Sequence, residues 1–133
     1  MVLIDGGVFA NNPAACAYAS SRKLFPNDDI VLLSIGTGRS SRSIKYINSK
    51  RLGKVTWIKP LINVMFASGL DCVNYQLSHV IEDKYIRIQS QLTLAPPDLD
   101  NATHKNIKCL QHEAQDTIEY NQKAIDSFCE MVA

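Results

Sequence analysis

The residues best suited by type to do chemistry stand near the start of the chain, where Asp5 is followed by Gly6 and Gly7. The apolar run before them is typical of a strand, and open α/β sheets place their ligand groups where strands end. Glycines can adopt positive φ and admit another segment close to the backbone, so the carboxylate could act as a base toward a nucleophile. Asp-Gly pairs also occur in ordinary tight turns, and the tripeptide alone does not decide between these roles.

The elements that must position this aspartate follow from the apolar pattern. A strand is predicted from about Val2 to Ile4, and a helix from about Pro13 to Leu24 with Asn12 as its N-cap. The continuous apolar run Ile30–Ile35 predicts a strand buried on both faces, closed by a turn at Gly36-Thr37-Gly38. Together these elements predict a right-handed parallel β-α-β unit with the aspartate at the carboxyl edge of its sheet.

The rest of the chain alternates between helical and extended patterns. Residues from about Thr56 to Val80 favour helix with a break or bend near Ser68-Gly69, and Lys84–Gln89 alternates with the period of a strand. One or two amphipathic helices should follow Asp100 or Thr103, because apolar residues recur there at helical spacing. Those residues are Ile107, Leu110, Ala114, Ile118, Ile125, Phe128 and Val132.

The segment Leu3–Pro13, with sequence LIDGGVFANNP, resembles the second catalytic motif of the patatin-like acyl hydrolases. In that family an Asp-Gly-Gly element supplies the aspartate of a Ser–Asp dyad and precedes an Asn-Pro helix start. The run Val31–Gly38 is similar to the family's next strand and its Gly-Thr-Gly element. The downstream part is matched more loosely, at Trp57, Tyr85-Ile86-Arg87-Ile88 and Leu99-Asp100.

The resemblance implies an α/β fold that is part of a three-layer α/β/α sandwich with a mostly parallel sheet. It implies that residues 1–133 are the C-terminal part of a catalytic domain, because the family's Gly-x-Ser-x-Gly elbow and glycine-rich oxyanion loop are absent from the chain. The sequence opens inside an apolar run, so we expect an upstream segment to supply the neighbouring strands. Ser34 approaches the elbow pattern, but Leu32 replaces its first glycine and a strand surrounds it, so it is not expected to be the nucleophile.

The implied activity is that of a lipolytic acyl-ester hydrolase with a Ser–Asp dyad, of which this chain supplies only Asp5. The fragment alone is expected to be inactive, with Gly6 and Gly7 as motif glycines, fatty-acyl esters as substrates and the N-terminal part of the same enzyme as a partner. An ordinary aspartate with a pKa of about 3.9 is a weak base, so a partly desolvated site is expected to raise the pKa of Asp5.

Charge is distributed unevenly along a chain whose net charge is only +1. A net charge so close to zero gives no overall positive field that would bind nucleic acid. The 46% hydrophobic and 20% charged residues are typical of a folded chain and exclude disorder. Residues 39–70 nevertheless contain seven basic residues and no acidic one. The seven basic residues all lie within residues 39–59, a range called the basic segment. Either it is a solvated loop, or it brings the protein to an anionic membrane. The expected location is therefore cytoplasmic or peripheral to a membrane.

No metal or cofactor is expected. The four cysteines form no C-x-x-C pair, and Cys109 with His112 and His104 lacks a further ligand cluster. Five apolar residues of the predicted helical segment could line an acyl pocket, although such residues at helical spacing are more often core. They are Trp57, Met65, Phe66, Leu70 and Tyr75. The alternative to an enzyme is a non-catalytic α/β module that binds a protein or a lipid surface.

Overall fold

The protein is described by a computed structural model over residues 3–40, 53, 57–96, 98 and 100–133, with the side chain of Lys59 outside that description. Its elements alternate between helix and strand along the chain. They are α1 (Gly7–Ala10), α2 (Ala14–Leu24), β1 (Leu32–Ser40), α3 (Ile58–Val80), a 3₁₀ turn (Glu82–Lys84), β2 (Tyr85–Leu92), α4 (His104–Tyr120) and α5 (Gln122–Val132). Most of the basic segment lies outside the described residues.

The chain divides into two compact units, each built from two stretches of sequence. The first unit, called the helical unit, comprises Met1–Leu32 and Ser43–Lys84, and the second, called the sheet unit, comprises Leu33–Arg42 and Tyr85–Ala133. The division falls between the first two residues of β1.

The sheet of the described residues is two-stranded and parallel, which confirms an α/β fold; the third layer stays a prediction. Ser34 lies beside Arg87, and Gly38 lies beside Leu92. The predicted turn at Gly36-Thr37-Gly38 is wrong, because all three residues continue β1 to Ser40. Gly38 is needed there for its φ of 119°, which other residues rarely adopt, and a Cβ on it would meet the Leu92 side chain at 2.7 Å.

The strand predicted before Asp5 is not observed at Leu3 and Ile4, which are exposed and have no regular structure, and Val2 lies outside the described residues. A strand needs a neighbour to pair its backbone groups, and β1 and β2 are the only strands in the described part of the chain. The predicted β-α-β unit is therefore not formed among those residues.

The helical unit is organised by α2 and α3, which pack against each other. The helix predicted over Pro13–Leu24 is confirmed to within one residue. Of the break or bend predicted near Ser68-Gly69, the break is not observed: α3 is continuous, and the Ser68 hydroxyl donates to the Val64 carbonyl 2.8 Å away, as a serine on a helix can. No helix in the described ranges is long and apolar enough to cross a membrane.

An ion pair joins the two stretches of sequence that make up the helical unit, near the end of each. Lys84, which closes the 3₁₀ turn, donates to both carboxylate oxygens of Asp29 at 2.6 and 2.5 Å. The Asp29 carboxylate raises the pKa of Lys84 above its usual value through this hydrogen bond. The residues that precede β1 and β2 are thereby held together.

The sheet unit is organised by α4, which packs on β2. Of the one or two helices predicted after Asp100 or Thr103, two are observed, and the Thr103 hydroxyl caps α4 by accepting from the backbone N–H of Asn106. The predicted inward face is partly wrong. Ile107 and Ile118 are exposed, and the buried side chains of α4 are the polar Asn106 and Glu113.

Candidate active site

Asp5 stands immediately before α1 and is held there by its backbone. Its carbonyl accepts from the N–H of Val8 at 3.1 Å, and the Gly6 carbonyl accepts from Phe9 and Ala10 at 3.0 and 2.9 Å. The Asp5 side chain itself is exposed, and no residue in the described part of the chain hydrogen-bonds its carboxylate. The helical turn therefore fixes the backbone of Asp5, while no described residue donates to either oxygen of its carboxylate. The partial desolvation predicted for this site is not observed among the described residues.

The two motif glycines have different reasons to be glycine. Gly6 has a φ of −61°, and no atom lies within 4 Å of the place that a Cβ would take, so neither conformation nor space requires glycine there in this chain. At Gly7 a Cβ would come within 2.9 Å of the Asp5 Oδ2 atom. Neither position uses the freedom of glycine to adopt a positive φ, since among described glycines only Gly38 has one. Gly7 instead leaves room for the Asp5 carboxylate to lie over the first turn of α1.

Asn12 links this turn to α2. It is buried, and its Oδ1 atom accepts from the backbone N–H of Ala14, the first residue of α2, at 3.1 Å. The predicted N-cap is one position early, because Pro13 rather than Asn12 is the N-cap of α2. Pro13 stands between them at the boundary of the helix. The Nδ2 atom of Asn12 is also buried and has no partner among the described residues. The segment after Asp5 is thus anchored by a side chain, whereas Asp5 is not.

Ser34 lies in the sheet unit, inside β1, as its sequence context predicts. It is buried, and its hydroxyl accepts from Nη1 of Arg87 at 2.7 Å, while Nη2 of Arg87 donates to Gln89. A serine on a strand with this partner has neither the exposed turn nor the adjacent base of an activated nucleophile. Its hydroxyl joins β1 to β2.

With this geometry established, similarity to known proteins bears on the family. Patatin-like protein 1 of Arabidopsis thaliana is 32% identical to this chain over a match that covers 82% of the chain and 33% of that protein. Patatin-like protein 2 of the same plant is 35% identical, with 81% of the chain and 33% of that protein covered. Patatin-like protein 1 of Oryza sativa subsp. indica is 31% identical, with 81% and 33% covered. This chain belongs to the patatin-like family.

The chain spans about a third of the length of the curated patatin-like relatives it matches. No family model matches it, and no solved structure matches it. The similarity to the patatin-like relatives extends along most of the chain and is not limited to the Asp-Gly-Gly segment.

The most heavily bonded carboxylate of this patatin-like chain, that of Glu113, was not among the residues that the sequence singled out. This side chain is 5% exposed. Its Oε1 atom accepts from the backbone N–H of Thr93 and Leu94 and from the Thr93 hydroxyl, and its Oε2 atom accepts from the N–H of Ala95 at 3.4 Å. These bonds tie α4 to the loop that follows β2. The sequence signal that could have identified Glu113 is its position on the same face of the predicted helix as Leu110 and Thr117.

The environment of Glu113 favours its charged form. Burial alone would raise the pKa of the carboxyl, but the three backbone N–H groups and the Thr93 hydroxyl that donate to it outweigh burial. The pKa of Glu113 therefore lies below its usual value. A carboxylate held in this way is a structural clamp.

The described residues include no group of three or more histidine, cysteine or acidic side chains placed to hold a metal ion. All four cysteines are free thiols. His112 lies 3.8 Å from Asp116 one helical turn away, and His104 begins α4. Among described side chains, Asp5 is therefore the candidate for chemistry that the family resemblance singles out.

Proposed function

We propose that this chain supplies the general base of a lipolytic acyl-ester hydrolase, with Asp5 as the aspartate of a Ser–Asp dyad. Membership of the patatin-like family is the observation that carries the proposal, because the Asp-Gly-Gly segment resembles that family's second catalytic motif. The exposed carboxylate supports it further, since no described donor competes for the oxygens that must take up a proton.

In the proposed reaction a serine from outside this chain attacks the carbonyl carbon of a fatty-acyl ester, and its hydroxyl proton passes to Asp5. The tetrahedral intermediate then expels the alcohol, which leaves with that proton. Water attacks the acyl-serine ester, again giving its proton to Asp5. The second tetrahedral intermediate releases the fatty acid, and the departing serine oxygen takes the proton back from Asp5, which restores both groups. A second segment covering Asp5 would supply the desolvation that this base needs.

The proposal assigns residues 1–133 to the C-terminal part of a catalytic domain. The N-terminal part of the same enzyme would bring the Gly-x-Ser-x-Gly elbow, the oxyanion loop and further strands of a three-layer sandwich. Substrates would be lipid or fatty-acyl esters, and the protein would be cytoplasmic or would contact an anionic membrane peripherally.

The proposal is tested with a chimera in which residues 1–133 replace the matching segment of Patatin-like protein 1 of Arabidopsis thaliana. The chimera should hydrolyse a short-chain nitrophenyl ester, and residues 1–133 alone should match the buffer rate because a dyad base cannot act without its nucleophile. Unmodified Patatin-like protein 1 is the positive control. A chimera with a cooperative melting transition and no turnover would favour a non-catalytic binding module. Turnover by the chain alone would show that a nucleophile lies within it.

A further inference from the structure

The N-terminal half of α3 carries an apolar stripe that nothing in the described residues covers. Ile58, Leu61, Ile62 and Met65 are 53%, 53%, 43% and 65% exposed. Their spacing of three, four and seven residues places them on one side of the helix, along about 11 Å of its length. Leu77, the buried residue among the described side chains of α3, lies in its C-terminal half and is 3% exposed. Val64 and Phe66 beside the stripe are exposed as well, at 49% and 39%, so the first turns of α3 present a broad apolar surface.

The sequence that leads into this stripe carries charge of a single sign. From residue 39 to residue 70 it has no acidic residue, and the basic Lys59 lies within the first turn of α3. Lys54 precedes Trp57 by three positions in the sequence. The apolar stripe therefore follows a basic run along the chain.

Trp57 stands at the boundary between the basic sequence and the apolar helix. It occupies the N-cap position of α3 and is 38% exposed. Tryptophan is enriched where membrane hydrocarbon meets headgroups, because its ring is apolar while its N–H needs a polar partner. Basic residues, a boundary tryptophan and an exposed apolar stripe together characterise helices that lie in a membrane interface.

We propose that the stripe formed by Ile58, Leu61, Ile62 and Met65 docks on an anionic lipid surface. The four side chains enter the acyl boundary, Trp57 lies at the headgroup level, and the neighbouring lysines contact anionic headgroups. This deepens the proposed function and rests on it, since it names the surface that meets a lipid substrate. It is measured by binding without turnover, so its failure would leave the hydrolase proposal standing.

A protein partner is the competing occupant, either a second copy of this chain or the remainder of a patatin-like domain. Charge favours lipid. A stripe covered only by protein gains nothing from neighbouring basic residues, whereas each lysine or arginine near an anionic membrane strengthens binding roughly fivefold. The experiment therefore includes measurements that would detect each of these protein occupants.

Trp57 is the only tryptophan of the chain, so its fluorescence reports on this surface alone. Residues 1–133 are titrated with vesicles of equal parts phosphatidylcholine and phosphatidylserine. The Trp57 emission should shift to the blue and should be quenched by lipids brominated on their acyl chains. Binding to pure phosphatidylcholine should be at least about tenfold weaker, and added salt should weaken binding to the anionic vesicles. Absence of the shift, or equal binding to both vesicles, would overturn the proposal.

The stripe is tested with the double variant Leu61→Ser and Met65→Ser. Its partition onto anionic vesicles should fall about tenfold or more, because two exposed apolar side chains are no longer transferred from water. The matched control is Ile107→Ser with Ile118→Ser, two comparably exposed residues of α4, and its partition should stay within about twofold of the parent. Circular dichroism checks that both variants keep their helix content. Equal loss in both variants, or loss only in the control, would contradict the assignment.

Two further measurements detect a protein occupant. A blue shift of Trp57 that grows with protein concentration in the absence of lipid would show that a second copy covers the stripe. In the chimera, Met65→Ser should leave the melting temperature nearly unchanged. A drop as large as that of a core substitution would show that the rest of the domain covers the stripe, and either result would overturn the proposal.

Discussion

Two carboxylates, Asp5 in the helical unit and Glu113 in the sheet unit, show how differently one chain can treat the same chemical group. Glu113 is buried and accepts from three backbone N–H groups and one hydroxyl. Asp5 is exposed, and no described residue donates to its oxygens. A carboxylate whose acceptor capacity is filled holds structure together, and one whose capacity is left open is available to take a proton. The contrast predicts opposite consequences for stability and activity.

The largest effect on stability is expected from Glu113→Ala. The variant leaves the N–H groups of Thr93, Leu94 and Ala95 without their acceptor, so the free energy of unfolding should fall by about 3 kcal/mol. Urea unfolding of residues 1–133 followed by circular dichroism measures this change. The exposed Glu130→Ala is the control and should shift the value by about 0.5 kcal/mol or less. Equal effects of the two variants would break the comparison.

The same clamp predicts a pH dependence. The pKa of Glu113 is lowered in the folded state from its usual 4.5, so its contribution to stability is fully present above that pH and is lost as the pH falls through the folded value. Below about pH 4.5 the parent chain should therefore lose stability more steeply than Glu113→Gln, which has no carboxyl to protonate. Melting curves recorded across this range provide the measurement, and parallel slopes would show that Glu113 is not held as a charged group.

A smaller effect is expected at the glycine that lets β1 continue past the position of the expected turn. Gly38→Ala should lower the free energy of unfolding by about 1 to 3 kcal/mol, because φ at this site is 119° and Leu92 occupies the space of a Cβ. Urea unfolding measures the loss. An unchanged midpoint would mean that this part of β1 does not hold its conformation in solution.

The smallest and opposite effect is expected at Gly69, inside α3. No atom lies within 4 Å of the place that its Cβ would take, and the helix continues through it. Gly69→Ala should therefore raise the free energy of unfolding by about 0.5 to 1 kcal/mol, because alanine loses less backbone entropy in a helix. The pair Gly38→Ala and Gly69→Ala thus separates a glycine required by conformation from one that is not. A loss at Gly69 would indicate a bend in α3 after all.

The elements that sequence predicts well are those set by local periodicity. Helix α2 agrees with its predicted bounds to within one residue, and the helices after Thr103 follow from a regular apolar spacing. The predicted turn at Gly36-Thr37-Gly38 is wrong because glycine occurs both in turns and in strands whose neighbours leave no room for a side chain. Only the neighbouring strand shows which of these two reasons applies. A Cβ on Gly36 would meet Nη2 of Arg87 at 2.6 Å, a contact between residues far apart in sequence.

The candidate site shows the same division. The anchoring role of Asn12 follows from its type and its neighbour Pro13, whereas the sequence pattern predicts a strand before Asp5 and no helical turn after it. The exposure of Asp5 and the burial of Glu113 depend on which segments pack against them, and a single chain's periodicity does not encode that. The face of α4 that is buried carries Glu113, which accepts from the loop after β2, while the apolar Ile107 and Ile118 are exposed.

The most direct test of the role of Asp5 uses Asp5→Asn in the chimera, with ester hydrolysis and melting temperature measured on one preparation. Asparagine keeps the shape of the side chain and removes the base, so the rate should fall at least about a hundredfold while the melting temperature changes little. Asp28→Asn, at another exposed aspartate of the helical unit, should keep the parental rate. A folded Asp5→Asn chimera that hydrolyses ester at nearly the parental rate would contradict the assignment of Asp5 as the base.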